Sequence, residues 1–259
     1  MASLNELKKE VKKQNTKLDG ISDVLIAKLE AYQSAYEKLL LKTKFSLVGG
    51  ALKRNTSNFT LAQKLTPMQT LGLKEIATEW VAKYPDVASE ELAFSERIGI
   101  KTGLAFKDIS LVRVHQKTDL DAFLTMGRGM DALIKRELVN SIALETSYDV
   151  AVANIARGFL GAGDKLGRVA NWADAVMRTS VFGLTRSIDA QIYEDIGAKK
   201  FVYVGAVDKR TRPFCRARVG KEYTKKQIEK FGNLNGSGLP GFFSPGGFRC
   251  RHRMIASDV

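Results

Sequence analysis

Apolar side chains recur between residues 4 and 39 in alternating steps of three and four: Leu4, Leu7, Val11, Leu18, Ile21, Leu25, Tyr32, Ala35 and Leu39. Gln14 and Lys28 occupy the two remaining positions of the series. This heptad-like seam predicts one long amphipathic helix, suited to a coiled coil or to another surface, the chain's own included. Gly20 within it costs about 1 kcal/mol relative to alanine. The pattern stops at LVGGALKRNTSNFT, whose paired glycines and Asn/Ser/Thr run read as a linker.

Helical spacing returns from residue 61 and persists to 197. Short segments come first, punctuated by Pro67, Pro85 and Gly99. Thr118 and Asp119 offer an N-cap to a helix reaching about Thr146. Ser147 restarts a second helix, which ends at Leu160 before Gly161, Ala162 and Gly163. A third runs from Arg168 to Ile196 with Trp172, Val176, Val181, Leu184, Ile188 and Ile192 as its stripe, and Gly197 supplies a left-handed stop.

After Gly197 the period changes. KKFVYVGAVD is β-branched and aromatic and reads as a strand, GKEYT as a second short strand, and KKQIEKFG as a short helix. A glycine- and proline-rich loop, NLNGSGLPGFFSPGG, leads into FRCRHRMIAS, a strand expected to return and pair with the first. The expected fold is therefore mainly α, with a small C-terminal α+β domain carrying a short antiparallel sheet. Its segments are an amphipathic helix (1–45), a linker (46–60), a helical bundle (61–197) and a basic α+β domain (198–259).

A chain of 259 residues can bury a sizeable core, and a hydrophobic fraction of 44% argues against wholesale disorder. It has no run of 18 apolar residues, so no membrane span is expected, and its lysine-rich start lacks a secretory apolar stretch. Two cysteines fit a reducing compartment. The net charge of +13 is unevenly placed: residues 198–259 hold 14 basic and 4 acidic side chains, whereas 46–197 balance at 18 each. Such a basic segment attracts an anionic partner, either double-stranded DNA without base specificity or an acidic protein surface. The expected phosphate contacts are Arg210, Arg212, Arg216, Arg218, Arg249, Arg251 and Arg253.

Small domains with thin cores often need a staple. Asp208, Cys215, Cys250 and His252 have the chemistry of a tetrahedral zinc set, although neither cysteine lies in a CxxC and the spacing matches no standard finger. A structural zinc, a disulfide and reduced thiols filling a small core all stay open, and no other cofactor is expected. Catalytic residues are not expected. Cys250 and His252 share one short segment among arginines, His115 reads as structural, and MGRGM falls inside a helix. No phosphate-binding loop, nucleophile elbow or HExxH occurs, and Asp208, Glu222, Glu229 and Asp258 are too scattered for a metal-dependent nuclease.

Residues 165–253 resemble the phage Mu F-like minor head proteins, the head-morphogenesis family. The resemblance rests on a long helix with an internal Arg178-Thr179 leading into a strand, then Asp208, Arg210 and Cys215, a glycine, and a glycine- and proline-rich loop before Cys250-Arg251-His252. The family's final cysteine is replaced here by His252, and Gly247-Phe248-Arg249 stands where His-Pro-Asn is usual. The resemblance implies a structural virion component, placed at the portal vertex or inside the capsid. Its partners would be the portal protein or inner shell and DNA, with a role in head assembly, packaging or ejection and time in the host cytoplasm during assembly. The alternative reading is a nucleic-acid-processing enzyme or toxin-like domain.

Overall fold

A computed structural model describes residues 3–101, 103, 110–162, 165–166, 168–209, 211–236, 238 and 240–258. The first part of the chain forms α1 (Leu4–Lys42), β1 (Leu47–Val48), β2 (Ala51–Leu52), α2 (Thr56–Lys64), α3 (Pro67–Thr70), α4 (Leu73–Val81) and α5 (Tyr84–Arg97). Next come α6 (Ser110–Ala143), α7 (Tyr148–Ile155) with a π-helical turn (Ala156–Leu160), β3 (Gly161–Ala162), β4 (Lys165–Leu166) and α8 (Arg168–Asp195). The last part holds β5 (Lys200–Val204), α9 (Pro213–Arg216), β6 (Glu222–Thr224), α10 (Lys225–Glu229), α11 (Phe231–Leu234) and β7 (Arg253–Ala256). The fold is mainly helical with a small antiparallel sheet near the C-terminus, as the periodicity predicts. No helix among the described residues is long and apolar enough to cross a membrane.

The division of the chain differs from four consecutive segments. One compact unit takes residues 1–22, 82–118 and 175–259, and a second takes 23–81 and 119–174. Helices α1, α6 and α8 each contribute residues to both.

In the first unit α1 opens with a reciprocal cap: the Glu6 amide donates to Ser3 Oγ at 3.3 Å and the Ser3 amide to Glu6 Oε2 at 2.7 Å. Its seam residues Leu7, Val11, Gln14 and Leu18 are buried. This stretch of the seam is therefore used inside the unit. Seam positions Leu25 and Tyr32, and Trp172 of the α8 stripe, have side chains outside the described set. Helix α8 buries Val181, Leu184, Ile188 and Ile192 completely. It ends as expected at Gly197, with φ +68°, where the Ala198 amide donates back to Tyr193 O at 2.9 Å.

The sheet order is β6-β5-β7, antiparallel throughout. Its register places Tyr203 opposite Met254 and Val204 opposite Arg253, so the final segment does return to the first strand. Alternation gives the sheet two different faces. Phe201 and Tyr203 meet the aromatic rings of Phe242 and Phe231, at 4.9 and 6.1 Å between centroids. Arg253 and Ile255 project from the opposite face of β7.

In the second unit, residues 46–60 are not a linker. Gly49 and Gly50, at φ +56° and +81°, form the two-residue turn of the β1–β2 hairpin, a backbone open to glycine at little cost. Asn55 caps α2, and the fully buried Asn58 bonds the amide and carbonyl of Ser46 and the carbonyl of Lys53. Helix α6 starts at Ser110, so Thr118 and Asp119 lie inside it rather than capping it. The apolar spacing from Val112 to Phe123 carries the helix through these two polar positions. Phe123, Met126, Met130, Ile134, Leu138 and Ile142 are its buried stripe. Asp131 on the same helix accepts the Met68 amide at 2.8 Å at the start of α3. Gly161 and Ala162 form a β-bridge pair with β4 instead of a helix cap, and Gly163 lies outside the described residues.

Candidate functional site

Cys215, Cys250 and His252 converge beside β5. Cys215 sits on α9, a short helix begun by Pro213, whose missing N–H is lost where a helix has no use for it. Cys250 and His252 lie in the extended segment just before β7, not on the strand as the sequence suggests, since pairing begins at Arg253. The two sulfurs are 4.0 Å apart, Cys250 Sγ is 3.7 Å from His252 Nδ1, and all three residues are at most 5% exposed. The His252 amide donates to Cys250 Sγ at 3.4 Å, and Tyr203 Oη is 3.9 Å from that sulfur. His252 stacks on the Tyr203 ring at 5.4 Å, and its Nε2 has no hydrogen-bond partner among the described residues. Both thiols are free cysteines.

Asp208 does not join them. Its carboxylate pairs with Arg251 Nη2 at 2.6 Å, and the group of ligating side chains among the described residues is Cys215, Cys250 and His252 alone. The thiols share their protons unequally. The hydrogen bond from Cys215 holds Cys250 well below the ordinary thiol range against the effect of burial, with His252 and Arg186 adding to it. Cys215, as the donor in that bond and itself partly desolvated, is pushed up. Burial raises the Tyr203 phenol, and the neighbouring thiols raise it further.

On the other face of the sheet Arg253 is 4% exposed, its guanidinium bonded to Glu91, Asp189 and Gln14. It lies 4.3 Å above the Phe94 ring. Burial opposes its charge, but the fields of Asp189 and Glu91 outweigh burial and hold it above the usual guanidinium value. For Glu91 burial dominates and raises the carboxyl, partly offset by Arg253. Arg186 of α8 is buried nearby, donating to Phe243 O at 2.9 Å and to Cys250 O, and burial lowers its pKa. Arg253 thus meets two carboxylates away from water, while Arg186 spends its guanidinium on backbone carbonyls.

The arginines expected on phosphate are mostly engaged by the chain itself, and Arg253 is removed from that role altogether. Arg212 clamps the carbonyls of Gly246 and Phe248, both at 2.6 Å, while Arg216 reaches Asp208 O at 2.8 Å. Arg218 lies 3.6 Å over the Phe214 ring and bonds its carbonyl, and Arg251 is paired with Asp208. Arg249 is exposed, with its amide on Thr179 Oγ1 at 3.3 Å, and Arg210 lies outside the described residues. The exposed cations of this segment are instead chiefly lysines: Lys199, Lys200, Lys209, Lys221, Lys225, Lys226 and Lys230.

Sequence reasoning missed Gln14, Glu91, Asp189, Arg186 and Tyr203. A signal existed for two of them. Gln14 falls on the apolar seam of α1, and Glu91 falls between Val87 and Phe94 on the buried stripe of α5, where a polar residue needs a partner. His115 does have a structural contact, Nε2 to Ser187 Oγ at 3.0 Å. No family model, curated protein or solved structure matches this chain.

Proposed function

We propose that this chain is a structural minor head protein of a tailed phage, bound at the portal or inner capsid and touching double-stranded DNA without base specificity. One observation carries the reading: Arg212, Arg216, Arg218, Arg251 and Arg253 bond the chain's own carbonyls and carboxylates, while seven lysines of the same segment are exposed along with Arg212, Arg216 and Arg249. A lysine surface suits diffuse phosphate neutralisation, because the ammonium is a compact charge without the fork geometry that reads base edges. The residues behind the family resemblance also meet one another. Thr179 accepts from Arg249, Asp208 pairs with Arg251, and Cys215 faces Cys250. That motif is a scaffold for the terminal segment.

The acidic residues of the segment support this reading over a nuclease. Asp208 is held by Arg251, Glu222 by Lys200 and Ser257, and Asp258 by the Lys199 amide, so each of these three has a partner within the chain. The test is mass spectrometry and labelled imaging of heads from the phage that encodes the chain. Presence in purified heads at low copy is expected, and its absence overturns the proposal. Removing residues 1–45 is the wrong probe for docking, because Leu7, Val11 and Leu18 are core residues. The full chain should bind duplex DNA with a log–log salt slope near 0.9 per phosphate neutralised. Magnesium-dependent cleavage of plasmid DNA would favour the enzyme reading.

A further inference from the structure

The buried thiol–imidazole cluster has the dimensions of a metal site. With Zn–S near 2.3 Å and Zn–N near 2.0–2.1 Å, a tetrahedral ion sets its sulfur–sulfur edge at about 3.8 Å and its sulfur–nitrogen edge at about 3.5 Å. The observed separations are 4.0 Å between Cys215 and Cys250 sulfurs and 3.7 Å from Cys250 Sγ to His252 Nδ1. The three ligand atoms all lie within 4.8 Å of one another. A disulfide asks for about 2.05 Å between the same sulfurs, so the thiols would have to close by roughly half their distance.

Three further features point the same way. His252 is 5% exposed, yet neither ring nitrogen has an oxygen or nitrogen partner among the described residues: Nδ1 faces a thiol and Nε2 faces none. A buried imidazole so placed has exchanged water for sulfur, which is poor compensation unless an ion sits between them. The His252 amide already donates to Cys250 Sγ, a bond that suits a thiolate and orients it. Finally, the backbone is shaped around the ligand atoms. A Cβ at Gly246 would crowd both sulfurs and Tyr203 Oη, and one at Gly205 would strike the His252 ring.

We infer that Cys215, Cys250 and His252 bind one zinc-class divalent ion, with the fourth position left to Tyr203 Oη or to a water bonded to it. Both cysteines bind as thiolates, so uptake releases any proton they still carry, and the two thiolates neutralise the ion's charge. The ion ties α9 to the segment entering β7, closing a loop 35 residues long between Cys215 and Cys250. The inference does not depend on the head-protein reading. Metal content is measured on the isolated chain, and head incorporation on virions.

The test uses the full chain, expressed with zinc in the medium and purified under argon without chelators. Elemental analysis should find about one zinc per chain, falling at least tenfold in Cys250→Ser and His252→Ala. Gly246→Ala keeps every ligand but crowds the sulfurs, and should lose the metal as well. Should these variants fail to fold, the wild-type chain still decides. Cobalt added to its zinc-free form should give intense tetrahedral visible bands and a thiolate-to-metal band in the near ultraviolet. A folded wild-type chain with both thiols reduced, no metal and no cobalt spectrum overturns the inference. So does a Cys215–Cys250 disulfide in protein handled anaerobically.

Discussion

Replacing Arg253 by methionine tests the buried charge set most directly. The substitution keeps an unbranched apolar stem under Phe94 but removes the cation bonded to Glu91, Asp189 and Gln14. Glu91 is fully buried and Asp189 is 2% exposed, so both carboxylates would be left in a water-free space without their partner. Breaking a buried pair in this way costs about 3–5 kcal/mol. At about 2–4 °C per kcal/mol for a chain near this size, the midpoint of thermal unfolding should fall by roughly 6–20 °C. Urea unfolding at neutral pH gives the free energy directly. The deficit should also depend on pH, with a sign fixed by burial. Glu91 has a folded pKa above its unfolded one, so its proton favours the fold at low pH, and that benefit is lost as pH rises through the folded value. Without Arg253 the folded value climbs further. The deficit must therefore be largest above Glu91's raised folded values and shrink as pH falls through them. Adding Glu91→Gln and Asp189→Asn removes the stranded charges and should recover part of the loss. A cost below 1 kcal/mol, or one that is flat with pH, would refute the charge-pairing account.

Asn58→Ala removes a fully buried side chain that bonds Ser46 and Lys53, and should cost about 1–3 kcal/mol by leaving their backbone groups unpaired. Chemical unfolding measures it, and a value near zero would mean water replaces the amide. Burial pushes the Tyr148 phenol up to about 12, and its hydroxyl donates to Leu40 O. The contribution is whole below about 10 and lost as pH rises through 12, so Tyr148→Phe should abolish that alkaline decline while costing about 1 kcal/mol at neutral pH. An unchanged alkaline slope in the variant would assign the decline to another group. Gly205→Ala drives a methyl into the His252 ring and should destabilise by about 1–3 kcal/mol, read by calorimetry. Changing Lys225, Lys226 and Lys230 together to glutamate should lower the DNA salt slope by about 2–3, and an unchanged slope would move the contact elsewhere.

What the sequence could disclose follows from the range of each physical signal. Period and capping are local, so α1, the end of α8 at Gly197 and the three strands near the C-terminus were legible. The hairpin at Leu47–Leu52 escapes that reading, because paired glycines beside a polar run read as a linker although Gly49-Gly50 makes a tight turn. The Asn/Ser/Thr run was in fact an N-cap and a buried amide, and composition alone cannot tell a solvated asparagine from one bonded to backbone groups 5 and 12 residues away. The candidate site shows the same limit. Cys250 and His252 were visibly close, being two residues apart, while Cys215 could be brought to them only by the return of β7 onto β5. Asp208 was as near to Cys215 in sequence as any plausible ligand, yet Arg251 captured it. The basic count is legible, but it does not say which side chains face solvent, and Arg253 does not. Seven arginines raise the same charge whether they face solvent or carbonyls, and Arg253 alternates to the face of β7 opposite His252. One step along an extended chain decides between a guanidinium that meets buried carboxylates and an imidazole that meets thiols.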